Sequence, residues 1–250
     1  MLAVQDIYFH YHAEYTAVPA IEKVSFSIPG GQIVGLFGDN GAGKTTLMRC
    51  IAGFLKPQRG EITLDGESGE GIRKKLAFVS GTGASFSSMT PMETGAFLNE
   101  FYEQFDMERY KKLIAFFELP EQPIKSMSTG QRSRAELAAG FSKGAQYLIL
   151  DEPFTGKDVF TRQDFIKIMA GGLHESGSIL LSTHLVQEVE PVIDRAIILH
   201  KGLLVRDVFM DELRENGETL IGALKQAEGY DEKKAARLFE QEKPAGKNAP

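Results

Sequence analysis

Cysteine and tryptophan are scarce in this 250-residue sequence, which has one cysteine and no tryptophan. A single cysteine excludes an intramolecular disulfide and a cysteine-rich zinc site. Long apolar runs are missing too, since runs such as those at 147–150 and 196–199 fall far short of the roughly 18 to 20 residues that span a bilayer. If the protein works at a membrane, we therefore expect a separate subunit to do the spanning.

A basic excess is also missing. The chain has 28 basic and 34 acidic side chains, which gives a net charge of −6. A dedicated DNA-binding protein normally has a basic stripe, so nucleic acid is not an expected partner. Residues 1–15 lack the basic and apolar regions of a secretory signal, which predicts a cytoplasmic protein. With 42% hydrophobic residues, the chain can build a full core, in one domain or in one domain with an inserted lobe.

Hydrophobic periodicity predicts an α/β fold. Alternating residues up to about residue 80 predict a β-rich section, in which the apolar run Ile33–Phe37 is typical of a strand buried on both faces. A helix pattern follows at Leu47, Ile51 and Phe54, and we expect it to end near Pro57. Later strands are predicted at 147–150, 179–182 and 196–199. Strands that alternate with helices imply a mainly parallel sheet with right-handed crossovers.

From about residue 90 to 145 the hydrophobic period is helical instead. Phenylalanines recur every four residues there, at Phe97, Phe101 and Phe105. We expect these rings to form the core of a small helical lobe rather than a ligand site. Residues 216–250 are polar, which predicts a polar helix and a frayed tail. The predicted main domain therefore covers residues 1–215.

A phosphate-binding loop is predicted between the strand Ile33–Phe37 and the helix that follows it. The loop satisfies the pattern G-x-x-x-x-G-K-[ST]. Its residues are Gly38, Asp39, Asn40, Gly41, Ala42, Gly43, Lys44 and Thr45. Successive backbone N–H groups and the helix N-terminus favour phosphate oxygens. We expect Lys44 to reach the β- and γ-phosphates, Thr45 to bind Mg²⁺ and Thr46 to lie near the α-phosphate of a nucleoside triphosphate.

Two carboxylates end the apolar strand predicted at 147–150, in the form of a Walker B segment. Asp151 is expected to hold hydrated Mg²⁺ beside Thr45, because this ion binds few carboxylates and keeps several waters. Glu152 is then placed to orient and deprotonate an attacking water. The segment alone is a weak signal, but its pairing with the phosphate loop makes it strong.

Three further segments carry a resemblance to a known family. Residues 127–131, MSTGQ, are similar to the LSGGQ signature of the ATP-binding cassette (ABC) ATPases. Residues 155–158 resemble the D-loop of that family, and His184 matches its switch histidine. The five motifs follow in the family's order over about residues 1–210, so the chain resembles a stand-alone nucleotide-binding subunit of an ABC transporter. The implied fold is a RecA-like P-loop core with an antiparallel β subdomain and an inserted helical signature lobe.

The resemblance also implies roles for residues outside the phosphate loop. The signature would contact the ATP of a second copy in a head-to-tail pair, through Ser128, Thr129, Gly130 and Gln131. A plain helix cap is the competing interpretation of Ser128. Asp158 would belong to the nucleotide site, and His184 would act in catalysis with Glu152 and Lys44 by contacting the γ-phosphate and the water. Tyr11 is the expected stacking partner of adenine, with Tyr15 as its competitor.

One position departs from the family pattern. Gly81 stands where the Q-loop of the family has a glutamine that touches Mg²⁺ and the water and couples the site to the membrane subunit. We expect weaker Mg²⁺ positioning as a result, with Ser80 and Thr82 as candidate substitutes. Thr129, in place of the first signature glycine, is a milder change.

The function implied by the resemblance is Mg²⁺-dependent ATP hydrolysis that powers a membrane transporter whose permease is a separate chain. A second ABC ATPase chain, a homodimer in the simplest case, and the permease are the expected partners. The protein would then lie at the inner face of the cell membrane, docked through a surface around residues 82–105 for which Phe86 and Met89 are candidates. The alternative is a soluble ABC-type regulatory ATPase that is not coupled to transport. The motifs concern ATP alone and indicate neither cargo nor direction.

Overall fold

The structure is a computed structural model that describes residues 1–11, 18–80, 86–154, 159–172 and 177–230. The strands within these ranges are β1 (Leu2–Phe9), β2 (Ile21–Ile28), β3 (Ile33–Phe37), β4 (Arg59–Leu64), β5 (Glu67–Ser68), β6 (Leu76–Ser80), β7 (Tyr147–Asp151), β8 (Ser178–Ser182), β9 (Arg195–His200) and β10 (Leu203–Phe209). The helices are α1 (Lys44–Ile51), α2 (Glu70–Arg73), α3 (Pro91–Phe101), α4 (Met107–Phe116), α5 (Thr129–Ser142), α6 (Val159–Gly172), α7 (Val186–Val189), α8 (Met210–Glu215) and α9 (Leu220–Ala227).

The strands form two sheets. The smaller is antiparallel and has the order β2-β1-β4-β5. The larger has the order β10-β9-β3-β8-β7-β6, in which β10 is antiparallel to β9 and the other five strands are parallel to one another. Because the central strands are parallel, their carboxyl ends lie along one edge, where Leu36 and Asp151 both pair with Ser182 and Ser80 pairs with Asp151. The predicted α/β class is confirmed.

The central sheet is covered on both faces. All five residues of β3 are buried, as predicted, and alternate residues point to opposite sides. Val34 and Leu36 belong to a cluster shared with the small sheet and α1, whereas Ile33 and Phe37 belong to a cluster shared with the helices of the lobe and the C-terminal region. Burial on both faces explains why these strands read as continuous apolar runs.

Two details of the helical predictions were wrong. Helix α1 ends at Ile51, because Gly53 takes a left-handed backbone conformation (φ 76°), and Phe54 beyond it is 66% exposed. Helix α3 ends at Phe101, so the three regularly spaced phenylalanines do not lie on one continuous helix. The Phe101 ring is therefore 64% exposed, while Phe105 is buried in the lobe as expected.

The lobe helices begin with regular caps. Thr90 and Glu93 form a capping box at the start of α3, in which each side chain accepts a hydrogen bond from the other residue's backbone N–H. Asp106 accepts a bond from the backbone N–H of Arg109 at the start of α4. Tyr110 is fully buried between these helices, and its hydroxyl donates to the carbonyl of Pro91 at 2.8 Å. The lobe is thus a packed unit inserted between β6 and β7.

Helix α9, the last helix of the described residues, packs on the central sheet. Leu220 and Ala223 of α9 are buried in the same cluster as β9, and residues 231–250 lie outside the described ranges. Across the described ranges, every helix is too short or too polar to cross a bilayer.

Candidate functional site

The phosphate loop predicted at 38–45 connects β3 to α1 and passes close to neighbouring backbone. Gly38 has φ 138°, and a Cβ there would lie 2.1 Å from the carbonyl oxygen of Leu199. Gly43 has φ 106°, and a Cβ there would lie 2.5 Å from the carbonyl oxygen of Ala20. Larger residues would therefore clash at both positions, which explains the two glycines on steric grounds.

Lys44 occupies the inside of this loop. Its side chain is buried, with only 7% of the residue exposed. The ammonium donates to the carbonyl of Gly38 at 2.6 Å and to that of Asp39 at 3.1 Å. Burial lowers the pKa of Lys44, while the nearby carboxylates, of which Glu152 contributes most, act in the opposite direction. The loop thus holds a cation at its centre, surrounded by backbone.

A hydroxyl–carboxylate cluster lies beside the loop, at the carboxyl ends of β7 and β8. The Thr45 hydroxyl donates to Oδ1 of Asp151 at 3.1 Å, and the Ser182 hydroxyl donates to the same oxygen at 2.8 Å. Asp151 is buried. The side chains of this cluster offer only oxygen atoms as metal ligands, and oxygen is the ligand type that Mg²⁺ prefers. In the described part of the chain no group of three or more His, Cys, Asp or Glu residues is placed to hold a metal.

Glu152 and His184 face each other next to this cluster. Glu152 has φ 49°, and its backbone N–H donates to the Ser182 hydroxyl at 3.0 Å. Its Oε1 lies 3.1 Å from Nε2 of His184, whose side chain is 52% exposed. A carboxylate and an imidazole therefore meet at the solvent-facing rim of the site, while Lys44, Thr45 and Asp151 form its floor.

Ser182 was not singled out from the sequence. Its hydroxyl joins the side chain of Asp151 to the backbone of Glu152, so it fixes both acidic residues. The register of β7 and β8, which pairs Asp151 with Ser182, brings them together. The indication present in the sequence was that Ser182 is the last residue of the predicted strand 179–182, just as Asp151 follows the end of the predicted strand 147–150.

Tyr11 lies beside Thr46, the residue that follows the phosphate loop. Its hydroxyl is 3.1 Å from the hydroxyl of Thr46, and its ring packs edge-on against Phe9 with the ring centres 4.9 Å apart. The residue is 49% exposed, so about half of its surface is accessible to a ligand. Its competitor Tyr15 lies outside the described residues.

The signature segment lies in the helical lobe, at the start of α5. Ser128 and Gln131 form a capping box, in which the Ser128 hydroxyl accepts from the Gln131 N–H at 3.2 Å and Gln131 Oε1 accepts from the Ser128 N–H at 3.0 Å. Thr129 is exposed, and a Cβ on Gly130 would meet nothing within 4 Å. Met127 anchors the segment within the lobe. The structure thus shows Ser128 as a helix cap at an open surface.

Some predicted positions lie outside the described residues. These are Asp158 of the D-loop segment, and Gly81 and Thr82 of the Q-loop segment. Ser80 is described, and it pairs with Asp151 in the register of β6 and β7. Ser80 is the last residue of β6, so it lies at the same sheet edge as the hydroxyl–carboxylate cluster.

Comparison with known proteins gives a consistent family assignment. The model of the family described as "ABC transporter" matches residues 21–155. The chain is 31% identical over 206 residues to the SkfA peptide export ATP-binding protein SkfE of Bacillus subtilis, covering 79% of this chain and 86% of that protein. It is 29% identical over 217 residues to the zinc uptake ATP-binding protein ZnuC of the same organism, covering 81% and 92%.

Solved structures agree with the fold. A structure described as the ATP-binding subunit of an ABC transporter matches with a TM-score of 0.76 and 26% identity, covering 96% of this chain and 98% of that one. The ATP-binding cassette MJ0796 bound to ADP and phosphate matches with a TM-score of 0.75 and 20% identity, covering 84% and 99%. The expected RecA-like P-loop core, with its antiparallel sheet and helical lobe, is thereby confirmed.

Proposed function

The chain belongs to the ABC transporter family of ATP-binding proteins, and we propose that it hydrolyses ATP to power a membrane transporter whose permease is a separate chain. The observation that carries this proposal is the arrangement at the sheet edge. There the buried Lys44 ammonium, the Thr45–Asp151 pair and the facing side chains of Glu152 and His184 lie together. This set would supply a cation for the phosphates, two oxygen ligands for Mg²⁺ and a base for the attacking water.

Binding of the triphosphate begins with the loop. Helix α1 starts at Lys44 behind a glycine, which has no side chain to cap the first N–H groups, so these donors are open to phosphate oxygens. Lys44 would exchange its carbonyl partners for the β- and γ-phosphates. The Thr46 hydroxyl, 3.1 Å from the hydroxyl of Tyr11, would contact the α-phosphate, and Tyr11 would stack on the adenine.

Thr45 and Asp151 are the residues that would hold Mg²⁺. When bound, the ion neutralises charge on the β- and γ-phosphate oxygens. Ser182 supports the pair from behind, because its hydroxyl fixes the orientation of the Asp151 carboxylate.

Hydrolysis would be carried out by Glu152 and His184. Glu152 would accept the proton of the attacking water, and His184 would contact the γ-phosphate and orient that water. The 3.1 Å separation of Glu152 Oε1 and His184 Nε2 keeps both groups at one point of the rim. Transfer of the phosphoryl group to water then depends on positioning and charge stabilisation, with no covalent enzyme intermediate.

A second cassette would complete each site. The start of α5 is exposed in the lobe, and its remaining N–H groups and the Ser128 hydroxyl are suited to an anion. We propose that these groups, together with Asp158, contact ATP held by the phosphate loop of another copy. A two-fold pair then contains two equivalent sites at its interface.

The permease would dock beside α3. Phe101 is exposed there. Its ring centre lies 4.5 Å from that of Phe97, with the two rings tilted by 37°, and Phe97 in turn lies 5.6 Å from the half-buried Phe86. Exposed aromatic rings that continue a packed cluster are favourable anchors for a partner protein. Docking of this kind would hold the chain at the inner face of the cell membrane. The names of SkfE and ZnuC describe an export and an uptake system, so direction does not transfer to this chain.

ATP turnover is the first test. We expect phosphate release that requires Mg²⁺ and stops with EDTA. Glu152→Gln should bind ATP normally but lower turnover about 100-fold or more, and Glu212→Gln, at an exposed position of α8, serves as the charge-matched control. Near-normal turnover in Glu152→Gln would remove Glu152 from the role of base.

Affinity purification of the tagged chain from detergent-solubilised native membranes tests the coupling to transport. A polytopic membrane protein in stoichiometric amount is expected, and Phe101→Ser should reduce its recovery. Phe116→Ser changes an equally accessible ring on α4 of the same lobe and should leave recovery unchanged. Recovery of an active ATPase without any membrane protein would favour the regulatory alternative.

A further inference from the structure

The C-terminal helix α9 forms one wall of a cleft at the phosphate loop. This cleft, with a volume of about 450 Å³, is bounded by the loop residues Gly38 and Asp39, by the segment 183–188 that contains His184, and by the last two turns of α9. Glu228, immediately after α9, also lines the cleft and belongs to none of the motifs identified in the sequence. The cleft thus places the end of α9, a helix for which the sequence indicates no function, beside the phosphate loop and His184.

Packing holds α9 in this position. Leu220 and Ala223 are buried against the central sheet, and the backbone N–H of Leu220 donates to Glu190, just beyond α7, at 3.5 Å. The backbone N–H of Glu228 donates to the carbonyl of Leu224 at 3.0 Å. Because the helix is anchored at its start and hydrogen-bonded to its end, the backbone at Glu228 has a fixed place at the cleft.

Glu228 lies among the charged groups of the phosphate loop. Burial raises the pKa of its carboxyl, and repulsion from Asp39 and a hydrogen bond with that side chain raise it further, against the attraction of His200 and Lys44. The Glu228 charge also acts to raise the pKa of the Lys44 ammonium. In its ionised form, the Glu228 carboxyl opposes any further negative charge brought to the loop.

We infer that Glu228 is a specificity-determining residue that weakens binding of a nucleoside triphosphate relative to the diphosphate. The inference rests on the proposed function, in which His184 contacts the γ-phosphate. His184 and Glu228 line the same cleft. Under the proposed function, the additional phosphate of the triphosphate lies beside His184, so we expect the repulsion by Glu228 to act mainly on the γ-phosphate.

The test compares nucleotide affinities of the full chain by isothermal titration calorimetry, with ADP and with the β,γ-imido analogue of ATP, in Mg²⁺. Glu228→Gln keeps the shape of the side chain and removes its charge. We expect it to tighten binding of the triphosphate analogue about three- to tenfold, and binding of ADP less than about twofold. Glu228→Lys should extend the same trend.

Glu215→Gln provides the matched control, because it removes the same charge from the exposed end of α8 and should change neither affinity. Thermal unfolding of each variant verifies that it is folded. Equal changes for both nucleotides, or no change in either charge variant, would overturn the inference while leaving the proposed function intact. Failure of the unaltered chain to bind either nucleotide would overturn the proposed function and this inference together.

Discussion

The protein has two helix N-termini that are candidates for contact with ATP, and they are built in opposite ways. Helix α1 begins after Gly43, which has no side chain to offer, and its first turn lies beside a buried ammonium and a carboxylate cluster. Helix α5 begins with a complete capping box between Ser128 and Gln131 and lies at an open surface. The first leaves its donors for a ligand, whereas the second is already stable without one.

This difference gives the two helix starts separate roles. The start of α1 is expected to bind the nucleotide, and the start of α5 to complete the site. The start of α1 combines several phosphate-binding features within one chain, so we expect it to bind nucleotide alone. The start of α5 retains only part of its donors and has no metal-binding or basic partner in its own capping box. We therefore expect it to contribute when a second surface brings a phosphate to it.

The largest effect is expected from removal of the cation at the first helix start. Lys44→Ala should weaken ATP binding about 100-fold and abolish turnover, because the phosphates lose a desolvated charged partner. Equilibrium binding of a fluorescent ATP analogue measures this loss. Lys143→Ala, which removes a cation at the end of α5, is the control. Retention of near-normal affinity in Lys44→Ala would contradict the phosphate-binding role of the loop.

The second prediction concerns the other helix start. Gly130→Asp places a carboxylate where a Cβ has open space, and an acid in the first turn suits the helix, so the fold should be retained. Turnover should nevertheless fall about 100-fold, since the new charge repels the phosphate that this surface would receive. ATP affinity of the single chain should stay within about twofold. A comparable loss of affinity would remove the distinction between the two regions.

A smaller effect is expected for the residue that supports the metal-binding pair. Ser182→Ala removes the hydroxyl that fixes Asp151 and should raise the Mg²⁺ concentration for half-maximal turnover about tenfold. Ser178→Ala is the matched control, because this equally buried serine at the opposite end of β8 bonds to the carbonyl of Pro29. An unchanged Mg²⁺ requirement in Ser182→Ala would show that Asp151 needs no such support.

The smallest effect compares two capping boxes within the lobe. Ser128→Ala and Thr90→Ala should each lower the free energy of unfolding by about 1 kcal/mol, as measured by urea denaturation, because each loses one cap hydrogen bond. Only Ser128→Ala should also lower ATP turnover. Equal turnover in the two variants would restrict Ser128 to a structural role.

The sequence predicted the parts of the molecule that depend on local pattern. The strand Ile33–Phe37, the loop that follows it and the period change of the lobe could all be read from neighbouring residues. The exposed position of Phe101 could not, because it depends on where α3 ends.

Long-range pairing accounts for what was missed at the site. Ser182 acts through its register with Asp151, and Glu228 reaches Asp39 through the packing of a helix that follows the whole sheet. No local motif marks either residue. The signature cap was weighed as an alternative to ATP contact, and the structure shows that Ser128 makes the cap while its surface stays open.

The most direct test of the division between the two helix starts is a mixing experiment with Lys44→Ala and Gly130→Asp chains, each inactive alone. In a mixed pair, the intact phosphate loop of one chain meets the intact signature of the other, so one of the two sites works. Equal mixing with random pairing makes half of the pairs mixed, and we expect up to about a quarter of the unaltered chain's ATP turnover. No recovery of turnover, although the unaltered chain is active and mixed pairs are detected by differently tagged copies, would contradict a site shared between two chains.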